Sequence, residues 1–116
     1  MSLKKTLLSA FMLIALAACS SSGDKEDQKP QTEAADVLYK KASDAMQGDN
    51  YREATKYFEE LERQHPYSEL SSRAQLMAAY SSYLDQRYEE AIVGLDRYIE
   101  LHPGAAAVDY AYYLKA

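Results

Sequence analysis

The sequence repeats itself with a period of 37 residues, and this repetition limits the fold more than any other feature. Tyr51-Arg-Glu-Ala returns as Tyr88-Glu-Glu-Ala, and His65-Pro returns as His102-Pro, both displaced by 37 positions. Alanine recurs at the same spacing, at positions 42, 79 and 116. A fixed period of roughly 20 to 50 residues is typical of stacked structural units, each of which buries its apolar face against the next. We therefore expect two full units and the opening helix of a third.

Each unit is predicted to contain two helices, because its apolar residues recur at helical spacings. In the first unit these residues are Ala35, Leu38, Tyr39, Ala42, Ala45 and Met46, followed by Ala54, Tyr57, Phe58 and Leu61. The turn at residues 48–50 separates the two helices, with Asn50 placed as N-cap and Glu53 placed to complete a capping box. Pro66 and Pro103 should end the second helices, so the preceding histidines need no catalytic or metal role.

Small residues at Ala42 and Ala54, a large one at Phe58 and a closing proline at Pro66 resemble the tetratricopeptide repeat, and the second unit matches at the same places. The resemblance implies an all-α solenoid of stacked helical pairs. The family period is about 34 residues. We expect the surplus to lie around residues 66–72 and 101–107 and to lengthen the connections between repeats.

The first 19 residues have the pattern of an export signal. Lys4 and Lys5 precede an apolar run that is too short for a transmembrane helix, which needs about 20 residues. Leu16-Ala17-Ala18-Cys19 resembles the bacterial lipobox, in which the cysteine thiol receives diacylglycerol and the new amino group is acylated. We expect residues 1–18 to be removed as a lipoprotein signal peptide. Ser20 after the cysteine, in place of the aspartate of inner-membrane lipoproteins, favours the outer membrane.

Three segments follow from this organisation. Residues 20–32 contain no aliphatic or aromatic side chain, so we expect residues 19–33 to be the lipidated cysteine and a flexible tether. Residues 34–116 form the predicted repeat domain. Cys19 is the one cysteine of the chain, which excludes an intrachain disulfide.

Two further segments narrow the resemblance. Asp96-Arg97-Tyr98-Ile99 lies in the second repeat, and Val108-Asp109-Tyr110-Ala-Tyr112-Tyr113 opens the third. Together with the lipobox they resemble the BamD family of outer-membrane assembly lipoproteins, also called YfiO or ComL. Gly104-Ala105-Ala106-Ala107 stands where many members have His-Pro-Asn before the Asp-Tyr, so this loop departs from the family pattern.

The resemblance implies a non-catalytic component of the Bam complex, which inserts β-barrel proteins into the outer membrane. Members have about five repeats: the first ones resemble a receptor for unfolded barrel precursors, and the last ones dock on BamA and other Bam lipoproteins. Because Ala116 falls inside a predicted helix, we expect the chain to be a fragment that carries the precursor-facing half. The alternative is a generic tetratricopeptide scaffold lipoprotein that recruits cell-wall or division factors.

The first helix of each pair should line a groove that can meet a peptide. Carrying over the usual groove positions selects Tyr39, Ser43, Arg73, Leu76, Tyr80, Tyr83, Tyr110 and Tyr113. Tyrosine combines a rigid apolar ring with a hydroxyl, which suits peptide binding, although tyrosines in repeat proteins also fill helix interfaces. Arg73 either pairs with a peptide carboxylate or lies in water. Tyr51, Tyr57, Tyr88 and Tyr98 are expected to pack between helices.

Other function classes find little support in the sequence. There is no glycine-rich phosphate loop and no cluster of metal ligands, so we expect no enzyme, metal or cofactor apart from the covalent lipid. Removal of Lys4 and Lys5 with the signal peptide changes the formal net charge from −5 to −7. Nucleic acid is therefore not an expected partner, since phosphate binding needs a basic surface.

Overall fold

The computed structural model describes residues 32–116, which contain five helices and no strand. We label them α1 (Ala35–Gln47), α2 (Tyr51–Gln64), α3 (Glu69–Leu84), α4 (Tyr88–Leu101) and α5 (Val108–Lys115). Each helix packs against its neighbours in sequence, and α1 also contacts α3. This arrangement confirms the predicted all-α repeat of helical pairs. The predicted signal peptide, Cys19 and all but the end of the tether lie outside the described residues.

The turns inside the two helical pairs have the same backbone geometry. Asp49 and Gln86, which are 37 positions apart, both adopt left-handed conformations, with φ of 57° and 59°. The amide that follows each of them donates to a carbonyl five residues earlier, at 2.8 Å and 2.9 Å. Bonds of this kind satisfy the last carbonyls of a helix and stop it from continuing. The repeat seen in the sequence is therefore also a repeat of backbone hydrogen bonds.

The helix starts differ in part from the expectation. Asn50 directly precedes α2 as predicted, but its side chain makes no capping hydrogen bond, so the capping box with Glu53 does not form. Ser68 does cap a helix, because its hydroxyl accepts from the amide of Leu70 at 3.2 Å and α3 begins at Glu69. The equivalent residue of the next repeat is Ala105, which has no hydroxyl. Residues 69–72, which belong to the expected surplus, therefore form the start of α3 and do not lengthen the connection. The Ser68 cap stabilises the helix start at this place.

The interior consists of two apolar clusters. The first is centred on Phe58 and Leu61 of α2, both fully buried, and the second on Leu95 and Tyr98 of α4. Small residues let α3 and α4 approach each other closely. A Cβ placed on Gly94 would lie 3.0 Å from the Cβ of Ala79, so the glycine is needed for this approach of α4 to α3.

The helix ends at the two His-Pro motifs follow the prediction. His65 and His102 are the residues at which α2 and α4 end. The His102 ring contacts the buried Gln75 side chain, with 2.9 Å between Nε2 and Oε1, and packs against Tyr98. The His65 ring nitrogen reaches the carbonyl of Glu33 at 2.5 Å, which ties the end of the predicted tether to α2. Both histidines thus make structural contacts between elements.

Candidate functional site: a face of tyrosines

Five tyrosine rings form a continuous row across α3, α4 and α5, which we call the tyrosine face. Tyr80 and Tyr83 of α3 stack with ring centroids 6.4 Å apart. Tyr88 at the start of α4 packs against Tyr83 at 5.8 Å, and Tyr110 of α5 packs against Tyr80 at 6.5 Å. Tyr113 continues the row by stacking on Tyr110 at 6.3 Å. The face therefore joins side chains from two successive repeats.

The tyrosine face is largely open to solvent. Tyr83 and Tyr110 are about two-fifths exposed, and Tyr113 is 76% exposed. Partial burial raises the pKa of the Tyr110 hydroxyl, and neighbouring tyrosines, with Tyr80 first among them, raise it further. At neutral pH the Tyr110 hydroxyl is therefore protonated and can both donate and accept hydrogen bonds. The face offers apolar ring area together with polar groups.

Four of the predicted groove residues, Tyr80, Tyr83, Tyr110 and Tyr113, meet in this face. Two others, on α1, make local contacts instead. The Tyr39 ring packs edge-on against the buried Phe58 with centroids 5.5 Å apart, and the Ser43 hydroxyl donates to the carbonyl of Tyr39 at 2.9 Å. Both side chains remain partly accessible. Their present contacts are with the first core cluster and with their own helix.

The last two predicted groove residues have opposite surroundings. Leu76 is only 8% exposed and belongs to the second core cluster, so its side chain is a packing residue and is not open to a ligand. Arg73 is exposed, and it forms no ion pair with any residue between 32 and 116. Helical spacing predicts that Leu76 and Tyr80 lie on the same side of α3. However, α4 and α5 cover the turn of α3 that contains Leu76.

Tyr88 packs against Tyr83 of the neighbouring helix, as expected, but its side chain is 53% exposed and belongs to the tyrosine face. Tyr98, by contrast, is buried as expected, at 3% exposure. The repeat pattern was misleading, since Tyr51 occupies the position equivalent to Tyr88 and is more covered. Tyr51 donates a hydrogen bond to Asp49 at 2.8 Å, and that bond is the main reason why its pKa is raised.

Comparison with known proteins shows the family to which this chain belongs. Residues 31–116 match the family model YfiO, described as an outer membrane lipoprotein. The chain belongs to this family. The match begins close to the start of the described residues and covers both helical pairs and α5. The YfiO family therefore accounts for the whole repeat domain, as the sequence resemblance predicted.

Several curated relatives carry the name outer membrane protein assembly factor BamD. The protein from Caulobacter vibrioides is 39% identical over 96% of the chain, and the match covers 36% of that relative. The proteins from Neisseria meningitidis serogroup B and Rickettsia prowazekii are 37% and 38% identical over 97% and 95% of the chain, covering 43% of each relative. The chain thus spans about two-fifths of the length of these relatives.

Membership of the YfiO family confirms the predicted outer-membrane location and the lipoprotein class. The relatives are named as assembly factors and not as enzymes, in agreement with the predicted non-catalytic role. Within residues 32–116, no group of three or more histidine, cysteine or acidic residues is arranged to hold a metal ion. In the same region, no helix has the length and apolar character needed to cross a membrane.

Proposed function

We propose that this YfiO-family chain is a non-catalytic lipoprotein component of the Bam complex and binds unfolded β-barrel precursors through its tyrosine face. Two findings support the proposal: the relatives are named BamD assembly factors, and five tyrosines form one open row on two repeats. The row carries the argument for binding. A structural repeat does not require such a row of exposed rings, because burying them would stabilise the chain more.

The tyrosine face matches the chemistry of a barrel precursor. A transmembrane β-strand alternates apolar and polar side chains and carries aromatic residues near the membrane surfaces. When such a segment is extended and unpaired, its aromatic side chains can stack on tyrosine rings, each favourable pair contributing about 0.5 to 1.5 kcal/mol beyond area burial. The tyrosine hydroxyls can hydrogen-bond with the precursor backbone. A row of rings therefore favours segments with spaced aromatic residues without requiring one sequence.

The anchor and the partners belong to the same proposal. S-diacylglycerol and an N-acyl chain on Cys19 would hold the domain at the outer membrane, since two lipid signals are needed for stable attachment. Residues 20–33 would serve as the tether between the lipid and α1. BamA and other Bam lipoproteins are the proposed protein partners. Arg73 is a further candidate on α3 for contact with a precursor, because it is exposed and unpaired among the described residues.

Site-specific crosslinking tests the binding role. A photoreactive amino acid at Tyr80 or Tyr113 in the full chain should capture unfolded barrel precursors supplied to membrane vesicles. Tyr112 is the matched control, because it is also a tyrosine and is 56% exposed on α5, but it is not one of the five rings of the tyrosine face. We expect capture at Tyr80 and Tyr113 and much less at Tyr112.

Substitution gives an independent measurement. Tyr113→Ser removes a ring that is 76% exposed, so the chain should still fold. Capture of precursors by the photoreactive residue at position 80 should decrease. Tyr112→Ser should leave capture unchanged. Capture of cell-wall enzymes alone at Tyr80 and Tyr113 would contradict the proposal and support the scaffold role instead.

A further inference from the structure

A second open surface lies between α2 and α4, with α3 as its floor. It consists of two adjoining depressions of about 800 Å³ and 480 Å³. Both are lined by Gln75 of α3, by Glu59 and Glu62 of α2 and by Arg97 of α4, so they form one continuous cleft. None of the five rings of the tyrosine face lines it. We call it the α2–α4 cleft.

Gln75 has an unsatisfied hydrogen-bond donor in this cleft. The residue is only 5% exposed, and its Oε1 is held by the His102 ring at 2.9 Å. Its Nε2 has no hydrogen-bond partner among residues 32–116. Native proteins leave few buried donors unpaired, because a buried donor without a partner loses its hydrogen bonds to water and gains none in return. A ligand carbonyl could accept from this amide if the Arg97 side chain moved slightly. Arg97 is long and 60% exposed, and it lies where the two depressions meet.

The cleft also carries negative charge that its own cations do not neutralise. Arg97 pairs with Glu62 at 2.5 Å across the two walls, and Arg87 pairs with Glu90. Glu59 on α2 and Glu89 on α4 also line the smaller depression.

Neither of these two carboxylates, Glu59 or Glu89, has an ion-pair partner within residues 32–116. Burial raises the pKa of the Glu59 carboxyl, and the more distant Arg87 offsets this only in part. A cation between the two walls would offset the cost of that burial by attraction to the carboxylate.

Apolar side chains lie along the edges of the cleft. Tyr67, which is fully exposed, and Leu101, which is 57% exposed, line the larger depression. Val93, 68% exposed, lines the smaller one. Small-molecule sites are usually enclosed and mostly apolar. An open cleft with apolar edges, an amide donor on its floor and acidic walls at one end is better suited to an extended polypeptide.

We propose that the α2–α4 cleft binds an extended basic segment of another polypeptide. The Gln75 amide would donate to a backbone carbonyl, a lysine or arginine would lie between Glu59 and Glu89, and an apolar side chain would pack on Tyr67 and Leu101. This site is lined by side chains of α3 other than those in the tyrosine face. Its existence does not depend on the proposed binding of barrel precursors.

A peptide titration tests the α2–α4 cleft directly. The probe is a fluorescein-labelled peptide that repeats Leu-Ser-Lys, and its partner repeats Leu-Ser-Glu. Fluorescence anisotropy with the full chain in detergent should show binding of the lysine peptide and little binding of the glutamate peptide. The affinity for the lysine peptide should decrease as salt increases, because opposite charges attract across partly exposed surfaces.

Three variants locate the peptide. Glu59→Gln combined with Glu89→Gln should weaken binding roughly two- to tenfold, since each charge pair contributes a modest amount. Gln75→Met keeps the side-chain volume, removes the donor and should weaken binding roughly two- to tenfold. Glu100→Gln is the matched control: it also removes a carboxylate from the exposed surface of α4, but outside the cleft, so affinity should be nearly unchanged.

Amide resonances separate binding from folding effects. In a ¹H–¹⁵N spectrum, the side-chain amide of Gln75 should shift when the lysine peptide is added. Equal affinity for the glutamate peptide, or full affinity in both cleft variants, would overturn the proposal. Loss of binding in Tyr113→Ser would also overturn it, because the peptide would then lie on the tyrosine face. Self-association of the chain that depends on Glu59 and Glu89 would also overturn the proposal, because the cleft would then bind a second copy of this chain.

Discussion

Replacement of Gln75 by methionine should stabilise the repeat domain, although it removes a hydrogen bond. Gln75 is 5% exposed, with one end bonded to His102 and the other end unpaired among the described residues. Methionine has a similar length and volume, can fill the same space and has no donor to leave unsatisfied. His102 is only partly buried, so water can replace the lost partner.

The expected magnitude follows from two opposing contributions. Removing the unpaired buried donor at Gln75 should gain about 1 to 3 kcal/mol, and losing the bond to His102 should cost about 0.5 to 1.5 kcal/mol. The net change is a gain of about 1 kcal/mol in the free energy of unfolding. For a domain of this size, that gain corresponds to a rise in Tm of about 4 to 8 °C.

Urea denaturation followed by circular dichroism at 222 nm would measure the change. Gln75→Ala is the control, because it removes the same polar atoms but leaves a void, and it should lower stability by about 1 kcal/mol or more. If Gln75→Met lost more than about 1 kcal/mol with an unchanged m value, the Nε2 donor would have to be satisfied in solution. The reasoning for both the stability effect and the unpaired amide would then fail.

Three other perturbations test the fold. Phe58→Ala should cost about 3 to 5 kcal/mol in urea denaturation, because the ring is fully buried in the first core cluster, whereas Val93→Ala at an exposed site should cost less than about 0.5 kcal/mol. Ser68→Ala should cost about 1 kcal/mol and speed hydrogen exchange of the Leu70 amide, and protection that stays unchanged would contradict the capping role. Hydrogen bonds from Arg63 first, and from Gln64, lower the pKa of the Glu60 carboxyl to about 2 from an ordinary 4.5. The stability that depends on this pairing should be present above pH 4.5 and lost as the pH falls towards 2. The free energies of unfolding of Arg63→Met and wild type should therefore differ at pH 6 and converge at pH 2. A difference that stays constant with pH would argue against the pairing.

The tyrosine face and the α2–α4 cleft use different faces of the same helix. Tyr80 and Tyr83 of α3 belong to the tyrosine face, and Gln75 and Ser82 line the cleft. One helix between two open surfaces would let the domain hold two polypeptides at once. The paired variants Tyr113→Ser and Glu59→Gln with Glu89→Gln would separate these two proposed activities, since each alters exposed side chains of one surface only.

Local features of the fold could be predicted from the sequence alone. The 37-residue period, the two helices of each unit and the ends of α2 and α4 at His65 and His102 all agree with the structure. These features depend on neighbouring residues: proline removes an amide donor, and helical spacing places apolar residues on one side. Two helix starts were exceptions: the predicted capping box at Asn50 does not form, and sequence reasoning did not recognise the Ser68 cap.

The environments of individual side chains required the tertiary structure. Leu76 and Tyr80 are four residues apart on α3, yet Leu76 is buried and Tyr80 joins the tyrosine face, because α4 and α5 cover only one part of that helix. Tyr51 and Tyr88 occupy equivalent repeat positions but differ in exposure. The unpaired amide of Gln75 depends on which groups two other helices bring near it. A sequence repeat determines which backbone forms, whereas burial and hydrogen bonding of a side chain depend on contacts with residues far away in the sequence.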